Sequence, residues 1–243
     1  MRGALVAGRA STGGKRKVKG DNMSAYKVRL YKESDLHSAQ ELFISGCREH
    51  ISPCFYHALK QPRCWLLLLV GLLLPLATYG SIVLSLLAGI GVLIILWLPG
   101  REFFLYHARR GVAVDLKDIR KYYLEREGYC FWVVELEGEV VGTVAAIPAI
   151  TPHEKNVELK RMMVSSHHRG KGIAKLLCRT LIDYARRRGC NAVVLTTTSI
   201  QISGVQLYTK LGFKTTETDL YNPFLGLVGI SWLGFRYDIS SSG

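Results

Sequence analysis

The chain has 243 residues, of which 49% are hydrophobic and 21% charged. That balance argues against both a purely soluble and a purely membrane-embedded protein, and leaves a mixed architecture. The formal charge of +13 suits nucleic acid, an anionic membrane surface or a polyphosphate ligand, and does not choose among them.

Residues 1–22 are rich in Gly, Ser, Thr and basic side chains, with one acid at Asp21, and are predicted to form a disordered basic tail. They lack the apolar core of a secretory signal, and Met23 offers a second start. Residues 23–64 are expected to supply a first strand and helix. Residues 65–100 then carry no charge, a run longer than the ~20 residues with which one helix crosses a bilayer. Pro75 and the cluster Thr78, Tyr79, Gly80 and Ser81 divide it into two apolar arms, 65–74 and 82–98, which reads as a short re-entrant membrane hairpin. A buried helical pair is disfavoured because neither arm has a polar face.

From residue 101 the pattern is that of a globular domain. Helical apolar spacing predicts a helix over 115–126. Residues 130–136 and 140–147 alternate as strands joined by Glu137, Gly138 and Glu139, a hairpin. A strand over 157–164 leads through a glycine-containing loop into an amphipathic helix over 172–188 that ends at Gly189. A strand over 192–197, a short helix over 203–211 stopped by Gly212, and strands over 213–218 and 233–239 complete the chain. Cys47, Cys54, Cys64, Cys130, Cys178 and Cys190 form no CxxC pair and are read as reduced thiols. No His or Cys group has zinc spacing, so no metal is expected.

The chemistry gathers after the strand 157–164, where Ser165 and Ser166 lead into His167, His168, Arg169, Gly170, Lys171 and Gly172. A strand, a glycine loop and a helix start aim free backbone N–H groups and the positive end of the helix dipole at one point, which is an anion site. Gly170 and Gly172 let a phosphate approach the backbone, and Arg169 and Lys171 add charge at the rim. Neither GxxxxGK[ST] nor GxGxxG is present, so a Walker loop and a dinucleotide fingerprint are excluded.

The stretch LKRMMVSSHHRGKGIAKLL resembles the acetyl-coenzyme A signature of the GNAT superfamily of N-acetyltransferases, [QR]xxGx[GA] after a strand, with His167 where that pattern has Gln or Arg. Downstream, QISGVQLYTKLGF resembles the second signature, a short helix with a Tyr followed by LGF, and YKVRLYKESDLHSAQELF resembles the opening strand and helix. Within the superfamily the chain is most similar to the camello-like (N-acetyltransferase 8-like) N-acetyltransferases, which carry a hydrophobic insert. The resemblance implies an α/β (α+β) fold with a mixed, mostly antiparallel sheet flanked by helices, into which the membrane hairpin is inserted.

It also implies acetyl-CoA as cosubstrate, lying between the strands 157–164 and 192–197 where they splay apart. Met163, Val164, His168, Arg169, Gly170, Lys171, Gly172, Ile173 and Ala174 are the expected coenzyme contacts. Tyr208 matches the position that protonates or orients the departing thiolate, and Glu158 the position of a general base, with Glu154 a weaker competitor. Each also has a plain structural reading, as a core tyrosine and as a salt-bridged carboxylate. Lys160 or Arg161 would hold a substrate carboxylate if the amine belongs to an amino acid.

The implied substrates are cysteine S-conjugates or related amino acids. A lysine acetyltransferase of the endoplasmic reticulum and a non-catalytic membrane adaptor are the competing readings. Partners are therefore a small-molecule amine or a protein lysine, and the lipid bilayer, with no nucleic acid. Arg48, Lys60 and Arg63 before the insert and Arg101, Arg109, Arg110 and Lys117 after it put both ends on the positive side, so the catalytic domain is expected to face the cytosol, and the family resemblance implies the endoplasmic reticulum membrane. A lumenal domain is the other topology, and the sequon at Asn22 tests it.

Overall fold

The computed structural model describes residues 25–149, 154–218 and 222–239. The basic tail, the Asn22 sequon and part of the loops 150–156 and 220–232 lie outside the described residues. Seven strands form one sheet in the order β1-β2-β3-β4-β5-β7-β6. They are β1 (Lys27–Leu30), β2 (Cys130–Leu136), β3 (Glu139–Ala149), β4 (Asn156–Val164), β5 (Ala192–Thr198), β6 (Lys214–Thr216) and β7 (Trp232–Asp238). Only the β4–β5 pair is parallel, and every other neighbour is antiparallel.

The predicted β2–β3 hairpin closes through Glu137 and Gly138, both at positive φ, the geometry a two-residue turn needs to match strand twist. Helix α5 (Ile173–Arg187) makes the crossover from β4 to β5 and buries Ile173, Leu177, Cys178, Leu181, Ile182 and Ala185 on one stripe. That stripe covers one face of the sheet, together with Tyr208, Val205 and Leu207 of α6 (Ile202–Lys210). The opposite face packs on α1 (Leu36–Glu49) through Ala39, Phe43 and Cys47, beside Ala108 of a long helix described next. All six cysteines are buried free thiols, and burial pushes Cys47 up to about 11 and Cys178 up to about 12.

The apolar insert differs from the short hairpin read from sequence. After α2 (Ile51–Ala58), helix α3 (Pro62–Tyr79) has 18 residues and α4 (Ile82–Ala113) has 32. Pro75 lies inside α3 and does not end it. At 1.5 Å per residue α3 is about 27 Å long, close to the hydrocarbon thickness of a bilayer. Both helices are long and apolar enough to cross a membrane. The turn is made by Gly80, a left-handed C-cap, and by Ser81, whose hydroxyl accepts from the Leu84 N–H. Small residues let the arms close: a Cβ on Gly71 would stand 2.9 Å from Val92, and one on Gly89 2.6 Å from Leu72.

The helix predicted over 115–126 is a second correction. Half of that segment is turn and bend, on either side of a five-residue π-helical turn at Arg120–Leu124. The position beside α1 is filled instead by the end of α4, which continues past Pro99 and buries Phe104, Ala108 and Gly111. Leu116, Ile119 and Tyr123 are buried as their spacing implied, but Asp115 turns inward as well to meet a charge on β4.

Candidate active site

The site is organised by a fork. β4 and β5 pair only at Asn156–Ala192, Val157–Val193 and Glu158–Val194. Beyond Glu158 the two strands part, so the β4 edge from Leu159 to Val164 has lost its neighbour while its other edge still pairs with β3. Backbone groups on such an edge seek partners, and an extended ligand with amide groups can supply them.

At the exit of β4 the chain makes a short turn at Ser166–His168 and then the loop Arg169, Gly170, Lys171, Gly172. Gly170 and Gly172 have φ of 75° and 86°, a conformation that glycine adopts without strain. Gly172 is the N-cap of α5, and no side chain caps that helix, so the first-turn N–H groups of Ile173, Ala174 and Lys175 keep no intrahelical partner. A Cβ on Gly170 would meet nothing within 4 Å, so the space over the loop is open. These features fit a pyrophosphate. Arg169 is less free than its rim position suggested: its Nη2 bonds the Glu49 carboxylate at 2.5 Å and its Nε donates to the Val164 carbonyl at 3.2 Å. His167 is exposed, and His168 lies edge-on to Tyr26 with ring centroids 6.3 Å apart.

A β-bulge shapes the middle of β4. Thr143 pairs with Met163 and Ala145 with Lys160, so Val144 faces both Arg161 and Met162. Arg161 sits at φ 52°, rare for a side chain of that size. The bulge turns two consecutive side chains to the α1 face. Val157 and Leu159 point into the α5 core, so Glu158 and Lys160 point the other way, and Arg161 joins them by stacking 4.4 Å over Phe43 of α1.

The charges on this face are sharply sorted. Arg161 is held bidentate by Asp115, at 2.8 and 2.6 Å, and Tyr123 donates its hydroxyl to the same carboxylate. Burial alone would lower the Arg161 guanidinium, and its bonds to Asp115 outweigh that, leaving it raised and always charged. Glu158 pairs with Lys160 at 2.9 Å, with side chains 25% and 41% exposed. Glu154 is at the wrong end: it precedes β4, binds Arg236 at 2.7 Å and the Asn156 amide at 2.7 Å, and is lowered by those bonds. A carboxylate so engaged is a poor base.

Tyr208 is 6% exposed, with its ring against Phe213 and Phe235 at 5.6 Å each. Burial, and then the neighbouring Cys178, push its phenol far above the ordinary value of 10. Among the described residues its hydroxyl has no hydrogen-bond partner. A phenol in this state stays protonated and can donate a hydrogen bond to a thiolate, but surrenders its proton reluctantly. Sequence reasoning passed over Glu49, Asp115, Tyr123 and Tyr26, which hold the site's side chains. Each acts across a long stretch of chain, and only the buried Asp115 among an otherwise apolar stripe gave any sign.

A parallel strand pair that opens beside a glycine loop and an uncapped helix is the arrangement that the resemblance to GNAT acetyltransferases implies. The Acetyltransferase (GNAT) family model matches residues 95–213. Human N-acetyltransferase 8B is 39% identical over 222 residues, covering 90% of this chain and 98% of the relative, and human N-acetyltransferase 8 is 37% identical with the same coverage. A GNAT acetyltransferase structure from Staphylococcus aureus superposes with a TM-score of 0.54 at 16% identity, covering 88% of this chain and 98% of that one. An acetyltransferase of Salmonella typhimurium, solved with its cofactor acetyl-CoA, gives 0.51 at 17% identity over 90% and 96% of the two chains. At such identity the two structures speak for the fold alone. The chain belongs to the N-acetyltransferase 8 family of GNAT proteins, and its activity is that of an acetyl-CoA-dependent N-acetyltransferase.

Proposed function

We propose that this protein acetylates the amino group of a small amino acid, most favourably a cysteine S-conjugate, from a catalytic domain held on the endoplasmic reticulum membrane. The observation that carries the reading is the fork: β4 and β5 part just beyond Glu158, with the glycine loop at one end of the gap. When bound, acetyl-CoA supplies an acetyl thioester. The N–H groups of Gly170, Gly172, Ile173 and Ala174, with His168, Arg169 and Lys171 around them, hold its pyrophosphate, and the backbone of Met163 and Val164 pairs with its pantetheine amides.

Glu158 takes the proton that the attacking ammonium must lose. Tyr208 donates a hydrogen bond to the sulfur as the carbon–sulfur bond breaks, and because its phenol is raised it steadies the thiolate rather than emptying its proton onto it. The proton the thiolate finally takes up comes from solvent or from Glu158.

The membrane part of the reading rests on α3 and α4, whose exposed faces are Leu, Ile, Val and Trp. An inserted hairpin between domain 23–64 and domain 101–243 returns the chain to the side it left. The basic residues at both ends favour the cytosol, and the endoplasmic reticulum rests on the family resemblance. The test is coenzyme A release by full-length protein with S-benzylcysteine, aspartate and a lysine peptide. Release chiefly with S-benzylcysteine is expected. Release chiefly with the peptide would replace the amino-acid reading with a protein lysine acetyltransferase.

A further inference from the structure

The geometry points to Lys160 as the residue that reads a carboxylate on the acceptor, making the enzyme selective for α-amino acids over otherwise identical amines. This inference rests on the reading of Glu158 as the acceptor end of the site. Besides Lys171, which stands in the coenzyme loop between Gly170 and Gly172, three cations lie near the fork. Arg161 has two of its three nitrogens committed to Asp115 beneath the sheet face, and Arg169 is drawn toward Glu49 at the loop. Lys160 is left, and among the described residues its one charge partner is Glu158, 2.9 Å away.

That pair is the complement of a zwitterion. In an α-amino acid one carbon separates the nitrogen from the carboxylate, so the two charged groups sit within a few ångströms, as the Lys160 ammonium and the Glu158 carboxylate do. An acceptor entering the fork can lay its carboxylate on Lys160 and its ammonium on Glu158, exchanging one ion pair for two. Without an acceptor the two side chains satisfy each other, which keeps both charges paired in the resting enzyme. The exchange also frees Glu158 from Lys160 at the moment it must accept a proton.

The bulge makes the arrangement stiff. Thr143 donates to the Arg161 carbonyl at 2.9 Å and Asp115 grips the Arg161 side chain, so the residue before it cannot rotate to the α5 face. Lys160 is therefore presented on the same face as Glu158. A substituent beyond the carboxylate, such as a thioether, takes no part in this recognition.

The experiment compares S-benzylcysteine with S-benzylcysteamine, the same molecule lacking the carboxylate, by coenzyme A release from full-length protein in lipid nanodiscs. The wild type is expected to favour S-benzylcysteine in kcat/KM by about 10-fold or more, chiefly through KM, the scale of one charged hydrogen bond. Lys160→Ala should bring the ratio of the two acceptors close to one, and Lys160→Arg should restore most of it. Acetyl-CoA binding verifies that each variant is folded, and Lys160→Gln gives a second neutral form.

A wild-type ratio near one overturns the proposal while leaving the acetyltransferase reading intact. So does an unchanged ratio in both neutral variants, or loss of kcat for both acceptors alike. If the wild type binds acetyl-CoA but acetylates neither amine, the small-amine reading falls and the carboxylate site falls with it.

Discussion

Asp115→Ala should be the most informative structural substitution. The Asp115 side chain is 7% exposed and holds an Arg161 side chain that is 23% exposed, through two bonds, while Tyr123 donates to it from a buried position. Its removal leaves a guanidinium over Phe43 with no counter-charge and a buried phenol with no acceptor. Breaking a buried pair from one side costs about 3–5 kcal/mol, and the remaining exposure of Arg161 argues for the lower end. For a chain of this size about 3 kcal/mol corresponds to a fall of roughly 6–12 °C in Tm. Thermal unfolding in detergent reads this directly. The double variant Asp115→Leu with Arg161→Met removes both charges and should recover most of the loss, since the cost lies in the stranded partner. A Tm change of less than about 2 °C in Asp115→Ala, or a double variant no better than the single one, would refute the reasoning.

Tyr208→Phe keeps the ring contacts with Phe213 and Phe235 and removes only the hydroxyl, so kcat should fall about 100-fold with acetyl-CoA binding almost unchanged. Unaltered turnover would return Tyr208 to the core. Gly170→Val projects a side chain into open space over the loop, and isothermal titration should find acetyl-CoA affinity at least about 10-fold weaker, with left-handed strain of about 1–2 kcal/mol in stability. Asp35 carries a pH signature. Burial alone would raise it, but two hydrogen bonds from Arg29 and one from the Lys32 N–H outweigh that and hold it below its ordinary 3.8. The stability it contributes is complete above that value and is lost as pH falls through the lower folded one. Arg29→Met should therefore destabilise at neutral pH by about 1.5–3 kcal/mol and flatten the acid limb of a stability profile, and an acid limb identical to wild type would count against it.

Much of the sheet was legible because its signals are local. Alternation with Glu137 and Gly138 at the turn gives β2 and β3, and an apolar stripe between a glycine loop and Gly189 gives α5. The splay of the strands 157–164 and 192–197, expected from resemblance, appears as pairing that stops at Glu158 and Val194. What escaped was non-local. Pro75 looks like a break because a proline lacks an N–H and leaves the carbonyl of residue 71 without its helical partner, yet α3 runs through it to Tyr79. The segment 115–126 has helical spacing because it does bury one stripe, yet α4 already occupies the helical position, and Asp115 is turned by an arginine 46 residues away. The bond from Arg169 to Glu49 spans 120 residues and leaves no trace in either neighbourhood. Of the two adjacent cations that sequence treated alike, Arg161 turned out to be held by Asp115 and Lys160 paired with the candidate base.

The claim underneath all of this is that the coenzyme lies along the orphaned edge of β4 with its pyrophosphate on the loop before α5. Hydrogen–deuterium exchange of the full-length protein with and without acetyl-CoA tests it without reference to any acceptor. Amide exchange should slow over residues 159–164 and 170–175 and stay unchanged at the paired base of the fork, 156–158, and along β1. Protection confined to other segments, or none at saturating acetyl-CoA, would contradict the account.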